Sequence, residues 1–194
     1  WAHGFAVQEQ TPQGVQRSLQ FFDAAGMALH KVFLRPSSDL PAYTRLVQGL
    51  ADPDQAARLG AQAPPPCEPE RADADIDVAG LRQAWGGLRD THDFAGLLRA
   101  FGTTRTQALR LADPRFAQAV QPEDAQGLLQ AAAAQGLPIM VFVGNPGALQ
   151  IHTGPVRQVV LMGPWLNVLD PGFNLHLRED HIASAWVVRK PTVD

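Results

Sequence analysis

The order of apolar and polar positions predicts that strands dominate both ends of the chain. Residues 18–22 and 28–34 are rich in apolar side chains, and residues 23–26 between them contain the Asp and Gly that tight turns favour. These residues predict a hairpin, preceded by a strand over residues 1–7. Further strands are predicted at 138–143, 148–152, 156–162, 165–169, 174–178 and 183–189. Short strands at this spacing favour an antiparallel meander.

The strand at 138–143 has an unbroken apolar sequence, Pro-Ile-Met-Val-Phe-Val. Such a run is typical of a strand that is covered on both faces. We therefore expect this strand at the centre of the sheet. Met140 and Phe142, together with Trp165 of a later strand, are expected to pack in the core; the alternative is that they line a flat ligand.

Helical periodicity and capping residues predict helices between the two β-rich parts. The predicted helices span 39–50, 75–85, 104–111 and 122–135, and the residues expected to begin them are, in order, Ser38 or Asp39, Asp75 or Asp77, Thr104 and Pro122. A further helix that contains His92 is predicted to follow the one through Trp85 and to end near Gly102. Thr104 and Gln107 have the spacing of a capping box. A short strand is predicted at 116–120. Because helices precede strands along most of the chain, the pattern indicates an α+β protein.

Residues 51–75 are rich in proline, alanine and acidic side chains and have little periodicity, which predicts a linker. Residues 1–7 and 182–188 share a pattern of bulky, small, aromatic and valine positions, which suggests an internal repeat. We therefore expect three parts. Residues 1–50 are expected to be the closing strands and helix of a first, truncated repeat, and residues 51–75 are expected to be the linker. Residues 76–194 are expected to be a second repeat with a helical segment and an antiparallel sheet.

The stretch 85–99 combines a helical pattern with unusually small side chains. Glycine inside a helix costs about 1 kcal/mol relative to alanine, so its three glycines indicate close packing, a break in the helix or room for a flat ligand. At helical spacing, the residues on the side of His92 are Leu88, Ala95, Gly96 and Arg99. An imidazole above a shallow surface, with a guanidinium two turns away, suits haem iron and a haem propionate. The alternative is a histidine that packs or caps within the helix.

Composition narrows the classes of function. The chain of 194 residues has a formal net charge of −3, which does not indicate a nucleic-acid partner. It contains no run of eighteen apolar residues, so no membrane span is expected. Its one cysteine, Cys67, excludes an intrachain disulfide framework and favours a reducing, cytoplasmic setting. Because the first residue is Trp1, we expect that the chain starts inside a longer gene product.

Several longer motifs resemble one protein family. They are Phe-Val-Gly-Asn-Pro-Gly at 142–147, Gln-Ile-His-Thr-Gly-Pro-Val at 150–156, the segments 162–178 and 180–192, Asp-Thr-His-Asp-Phe at 90–94, and the hairpin residues 18–23 and 30–32. These residues resemble the haemin-degrading factor family, the HemS- and ChuS-like cytoplasmic proteins that handle haem. The resemblance covers nearly all of the chain outside the linker.

The resemblance implies two similar halves, each a twisted antiparallel β-sheet flanked by helices, with haem in a cleft between them. It implies that His92 supplies the proximal nitrogen to the iron and that Lys190 lies near the haem. The family's opposing arginine belongs to a strand that should precede Trp1, and its last hairpin and helix should follow Asp194. We therefore expect a chain truncated at both ends. In the repeat comparison, His176 takes the position of that arginine.

Other candidate residues have plainer alternatives. Arg99, Arg89 and Lys190 are candidates for haem propionates, or are simply solvated. Phe142 is a candidate for the porphyrin face. On an alternating strand, His176 points away from its apolar neighbours, onto a polar or cleft face, and its alternative is an ordinary surface residue. The carboxylates of Asp90 and Asp93 can orient the second ring nitrogen of His92, although we expect solvent exposure for both.

The sequence therefore predicts a cytoplasmic haem-binding protein that carries haem taken up for iron acquisition and hands it on or supports its degradation. One alternative is an enzyme that opens the haem ring. Another is a dimerisation or docking module without its own haem. Expected partners are haem and a haem oxygenase or a membrane haem importer, and a homodimer is a further expectation.

Overall fold

The computed structural model describes residues 1–55, 60–67 and 69–193. The chain divides into two units. The first unit comprises Trp1–Pro66 and Val141–Ile151, and the second comprises Cys67–Met140 and His152–Asp194. Residues 56–59 and 68 of the predicted linker lie outside the described residues. Helices and antiparallel sheets alternate in the order given below, which confirms the α+β class.

The first unit is built on an antiparallel sheet of three strands, β1 (His3–Thr11), β2 (Gly14–Phe22) and β3 (Ala28–Phe33), in sequential order. The predicted hairpin is confirmed: the Asp23 carboxylate accepts hydrogen bonds from the N–H groups of Ala25 and Met27 and so shapes the turn. Helix α1 (Leu40–Leu50) begins after Asp39, whose carboxylate caps the N–H of Ala42 at 2.9 Å.

Helices form the start of the second unit: α2 (Val78–Gly86), α3 (Phe94–Phe101), α4 (Arg105–Leu111) and, after strand β4 (Ala117–Val120), α5 (Asp124–Gln135). Asp77 caps α2 and Thr104 caps α4, as the sequence predicts. In a capping box, the Gln107 side chain would also accept the N–H of Thr104, and this half of the prediction is wrong. The Gln107 amide donates instead to the Arg71 carbonyl and to Asp73, because these groups lie against the buried side of α4.

The strands of the second half follow the predicted positions. They are β5 (Pro138–Asn145), β6 (Ala148–Pro155), β7 (Val159–Met162), β8 (Trp165–Asp170), β9 (Phe173–Arg178) and β10 (Ala185–Val188). Strands β7, β8 and β9 form the expected antiparallel meander. Strand β10 pairs with β4, which closes the helical part of the unit.

The expectation of a buried central strand at 138–143 is wrong. Strand β5 pairs with β6 in a two-stranded sheet. Met140 and Phe142 are about half exposed, and Trp165 is exposed as well, so none of these three residues belongs to the core. An apolar run indicates a strand that needs covering, but it does not say whether the covering element is part of the same chain.

Two apolar clusters stabilise the second unit. The first joins α2, α3, α4 and β4 through Leu81, Trp85, Phe94, Leu97, Ala108, Leu109, Ala112 and Ala117. The second joins α5 to the β7–β9 sheet through Leu129, Ala132, Val156, Leu166 and Val168. The first cluster lies under the segment that carries His92, so the packing of this cluster determines the position of that segment.

Residues 70–75 are fastened to α4 by a polar network. The guanidinium of Arg110 pairs with Glu70 at 3.1 Å and with Asp73 at 2.8 Å. Hydrogen bonds from Thr104 and then Arg110 lower the pKa of Glu70, and those from Arg110 and then Gln107 lower the pKa of Asp73. This network fixes the position of the chain just before α2. The first apolar cluster then packs α2 against α3.

Candidate functional site

Of the alternatives predicted for the glycines of 85–99, the structure has the break, because the chain leaves the helix between α2 and α3. The helix predicted to end near Gly102 is confirmed as α3, but the helical face expected around His92 is wrong. Gly86 and Gly87 follow each other at the end of α2, where they favour a break over continuation. Asp90 is extended, and its carboxylate accepts the N–H of His92 at 2.8 Å, which begins a 3₁₀ turn over Thr91–Asp93. His92 therefore lies in a turn before α3, and the side that was predicted from helical spacing does not exist.

The same carboxylate orients the imidazole of His92. The Asp90 Oδ1 atom lies 2.6 Å from His92 Nδ1, and the His92 side chain is 91% exposed. Hydrogen bonds from the His92 backbone and then from its ring lower the pKa of the Asp90 carboxyl. Because an ionised carboxylate only accepts hydrogen bonds, the ring proton lies on Nδ1. In the neutral ring, Nε2 then carries a free lone pair that faces outward.

An imidazole held in this way is arranged as a metal ligand. Histidines that ligate metals usually donate their other ring N–H to a carboxylate or carbonyl, which fixes the tautomer and raises ligand basicity. In the described part of the chain, no group of three or more His, Cys, Asp or Glu residues could hold a bare metal ion. The single imidazole therefore suits a metal that arrives with its other ligands already in place.

The last described residues bring Lys190 to this segment. The Trp85 indole donates to the Arg189 carbonyl at 3.0 Å, and the Val193 N–H donates to the Arg89 carbonyl at 3.3 Å. Lys190 Nζ lies 4.6 Å from the ring centroid of Phe94, the residue that begins α3 two positions after His92. The distant end of the chain thus adds a cation next to Phe94, at the start of α3.

A second cation, Arg105, faces the same ring. Its guanidinium carbon lies 5.4 Å from the Phe94 centroid. Burial and then the charge of Arg105 lower the pKa of Lys190. Within the described ranges, no carboxylate pairs with either cation. Two neighbouring positive groups without a counter-charge form a suitable binding region for a carboxylate of a ligand.

The other predicted residues are placed as follows. Arg89 and Arg99 are exposed, and neither forms an ion pair with another described residue. A methyl group added at Gly96 would lie 3.9 Å from Arg99 Nη2, so the guanidinium lies over the glycine. His176 is exposed on β9. Phe142 belongs to the first unit and is also exposed.

Two contributors were missed or undervalued from sequence. Solvent exposure is the preferred prediction for Asp90, with orientation of the His92 ring as the alternative; the Asp90 side chain is 59% exposed and also binds the ring. A signal was present, because an Asp two residues before another residue often accepts that residue's N–H in a turn. Arg105 was not a candidate, and no local pattern links it to Phe94, eleven positions earlier, because α4 must first fold back on α3.

The fold and the site together define an α+β protein with an imidazole, that of His92, which a carboxylate orients. The chain belongs to the family described as the haemin-degrading HemS.ChuX domain, whose model matches residues 1–50 and 102–194. The matched ranges include Lys190 and His176 but not the segment that contains His92.

Similar proteins include the hemin transport protein HmuS of Yersinia pestis, with 38% identity over the whole chain and 55% of that protein. The structure of holo-PhuS, a heme-binding protein from Pseudomonas aeruginosa, matches 98% of the chain and 55% of its own chain with 49% identity and a TM-score of 0.92. The heme degrading enzyme ChuS of Escherichia coli O157:H7 matches with 39% identity, a TM-score of 0.88, and coverage of 100% and 55% respectively. The chain thus spans about half the length of these relatives.

None of the helices in the described ranges has the length and apolar character needed to cross a bilayer.

Proposed function

We propose that this chain binds haem and carries haem taken up for iron acquisition, handing it on or supporting its degradation. The observation that carries the proposal is the imidazole of His92, whose Nε2 lone pair is kept free because Asp90 binds Nδ1 at 2.6 Å. Haem brings four nitrogen ligands of its own, so one imidazole completes a useful site. Relatives named for hemin transport and heme binding support the same conclusion.

The residues around His92 fit the rest of a haem group. Lys190 is suited to a propionate because it has no carboxylate partner among the described residues. Arg99 and Arg89 are further propionate candidates. We also propose that Phe142 contacts the porphyrin face and that His176 is another residue that contacts haem. The exposure of His92 leaves its ligating nitrogen accessible for haem to arrive and leave.

A second candidate function is haem degradation, which the name of the relative ChuS favours. Haem, when bound, supplies the iron that reacts with oxygen. The chain's own part is then the same as in a carrier: His92 holds the iron from one side, and the cations orient the carboxylates. A third candidate is a dimerisation or docking module without its own haem.

The wider assignments follow from the same proposal. We propose a cytoplasmic location, a haem oxygenase or a membrane haem importer as partner, and the capacity to form a homodimer. Residues 1–50 are proposed as the closing part of a first repeat and residues 76–194 as the second, joined by the linker 51–75. The family model supports the outer two parts, since it matches residues 1–50 and 102–194 as separate ranges.

Haem titration tests the proposal directly. We expect added haemin to give a shifted, saturable Soret band with the chain, whereas a docking module would give the spectrum of free haemin. Turnover with a reductase in air, in the presence of catalase, then separates the two haem functions. An opened tetrapyrrole and released iron indicate the enzyme, and unchanged bound haem indicates the carrier. Catalase is needed because hydrogen peroxide alone destroys haem.

Asp90→Asn is expected to weaken haem binding by about 10-fold to 100-fold, which is typical when the partner of a ligating histidine is altered. The amide can still accept the backbone N–H but loses the charge that holds the ring proton on Nδ1. Asp93→Asn is the matched control, because Asp93 is three residues away and its side chain makes no capping hydrogen bond. Equal affinities for both variants, measured by Soret titration, would contradict the role of Asp90.

A further inference from the structure

The outer face of the β7–β9 sheet, opposite the apolar cluster on α5, carries two cross-strand rows of side chains. One row is Val160, Asn167 and His176, and the other is Met162, Trp165 and Arg178. Residues two apart on a strand share a face, so both rows lie on the same side of the sheet. With strands about 4.8 Å apart, the two rows cover a patch about 10 Å wide. These six residues form the outer face of the sheet.

Asn167 determines the tautomer of His176. The Asn167 side chain is nearly buried, and its Nδ2 atom donates to the carbonyls of Val160 at 3.2 Å and Trp165 at 3.0 Å. Carbonyls only accept, so the amide NH₂ must point toward them and Oδ1 toward His176. Asn167 Oδ1 lies 2.6 Å from His176 Nδ1, which therefore carries the ring proton. In the neutral ring, Nε2 is left with a free lone pair on an exposed side chain.

The surroundings of His176 are apolar on one side and hold the Arg178–Asp180 ion pair on the other. Val160, Met162 and Trp165 are all exposed, although each is large and apolar. The Arg178 guanidinium lies 5.4 Å from the Trp165 ring centroid and makes two hydrogen bonds to Asp180. Arginine has five N–H donors, so three remain for a further acceptor. An exposed flat ring, a free imidazole nitrogen and the remaining N–H donors of a paired guanidinium thus occur within one patch.

We propose that the outer face binds a second metal porphyrin, a haem, with His176 Nε2 as the axial ligand of its iron. The inference rests on the proposed haem function and adds a site distinct from the His92 turn. A bare metal ion would need further donors, which the described residues do not assemble here. A porphyrin supplies its own donors, covers the three apolar side chains and directs a carboxylate to Arg178. Ligation donates the Nε2 lone pair to iron, and no proton leaves the ring.

Stoichiometry and spectra of four proteins test this inference: the unaltered chain, His176→Ala, His92→Ala and the double variant. The unaltered chain is expected to take up two equivalents of haem, each single variant one, and the double variant none. Restoration of the Soret shift in His176→Gly by added imidazole would show that the ring acts as the ligand. His181→Ala, another exposed histidine of the same unit, is the matched control and should retain both equivalents.

Three results would overturn the inference. One equivalent in both the unaltered chain and His176→Ala would leave only the His92 site, and the proposed haem function would stand. One equivalent that both substitutions weaken would mean a single haem bound by both histidines. A dimer that Trp165→Glu dissociates, without any second equivalent of haem, would mean that the outer face joins two copies of the chain. Absence of any haem uptake would instead reject the proposed function itself.

Discussion

Replacing His92 with alanine is expected to lower haem affinity at the His92 site by at least about 100-fold, since loss of a ligand exceeds the usual effect of losing its hydrogen-bond partner. The Asp90 carboxylate remains in the variant, but no nitrogen is left to bind the iron. The measurement is a haemin titration followed by the Soret band, read for the tighter phase if two phases appear. The ring is 91% exposed, so the substitution should leave the free energy of unfolding nearly unchanged.

A matched set of variants makes this prediction specific. His181→Ala removes an exposed histidine of the same unit and should leave the His92 phase intact. His92→Gly with added imidazole should recover the Soret shift, because the free ring can occupy the space of the missing side chain. An unaltered titration for His92→Ala would remove His92 from the site and leave the haem proposal dependent on other residues.

Trp85→Ala is expected to lower the free energy of unfolding of the second unit by about 3–5 kcal/mol. Trp85 is fully buried and meets the edge of Phe94 with ring centroids 4.7 Å apart. Its indole also donates to the Arg189 carbonyl, which holds the segment carrying Lys190. Truncation therefore leaves a cavity. It also removes the contact that holds Phe94 at the start of α3 and the hydrogen bond that holds the segment after β10. Urea unfolding, followed by circular dichroism, measures the change.

Two further substitutions separate the contributions of Trp85. Trp85→Phe retains most of the apolar volume and removes only the indole N–H, so it should cost about 1 kcal/mol for the lost hydrogen bond, plus a smaller packing loss. Trp165→Ala, at an exposed tryptophan, should cost less than Trp85→Ala. If Trp85→Ala and Trp165→Ala lowered the free energy of unfolding equally, the prediction that the buried Trp85 stabilises the first apolar cluster more than an exposed tryptophan does would be wrong.

Local chemistry explains the parts of the fold that were predictable from sequence. Asp39, Asp77 and Thr104 each accept a backbone N–H at the start of a helix, and this preference requires only a few neighbouring residues. The turn at Asp23 is equally local. The meander of β7–β9 follows from short strands separated by tight turns, such as the one after Asp170.

The errors arise where two local preferences compete or where a distant element decides. Residues 85–99 have helical spacing, but two adjacent glycines and the hydrogen bond from His92 to Asp90 favour a break and a 3₁₀ turn. Strand β5 has the composition of a buried strand, yet Phe142 is 56% exposed. Its burial depends on which element covers it, and that is not encoded in the run itself.

For the candidate site, the sequence by itself determined the residue types: a histidine between two carboxylates in a glycine-rich stretch, and a lysine near the other end of the chain. Only the tertiary structure decided their arrangement. Asp90 controls the ring of His92 because the helix ends before it, and Lys190 faces Phe94 because Trp85 binds the Arg189 carbonyl. Contacts between residues about a hundred positions apart depend on packing of the whole unit, which no local pattern specifies.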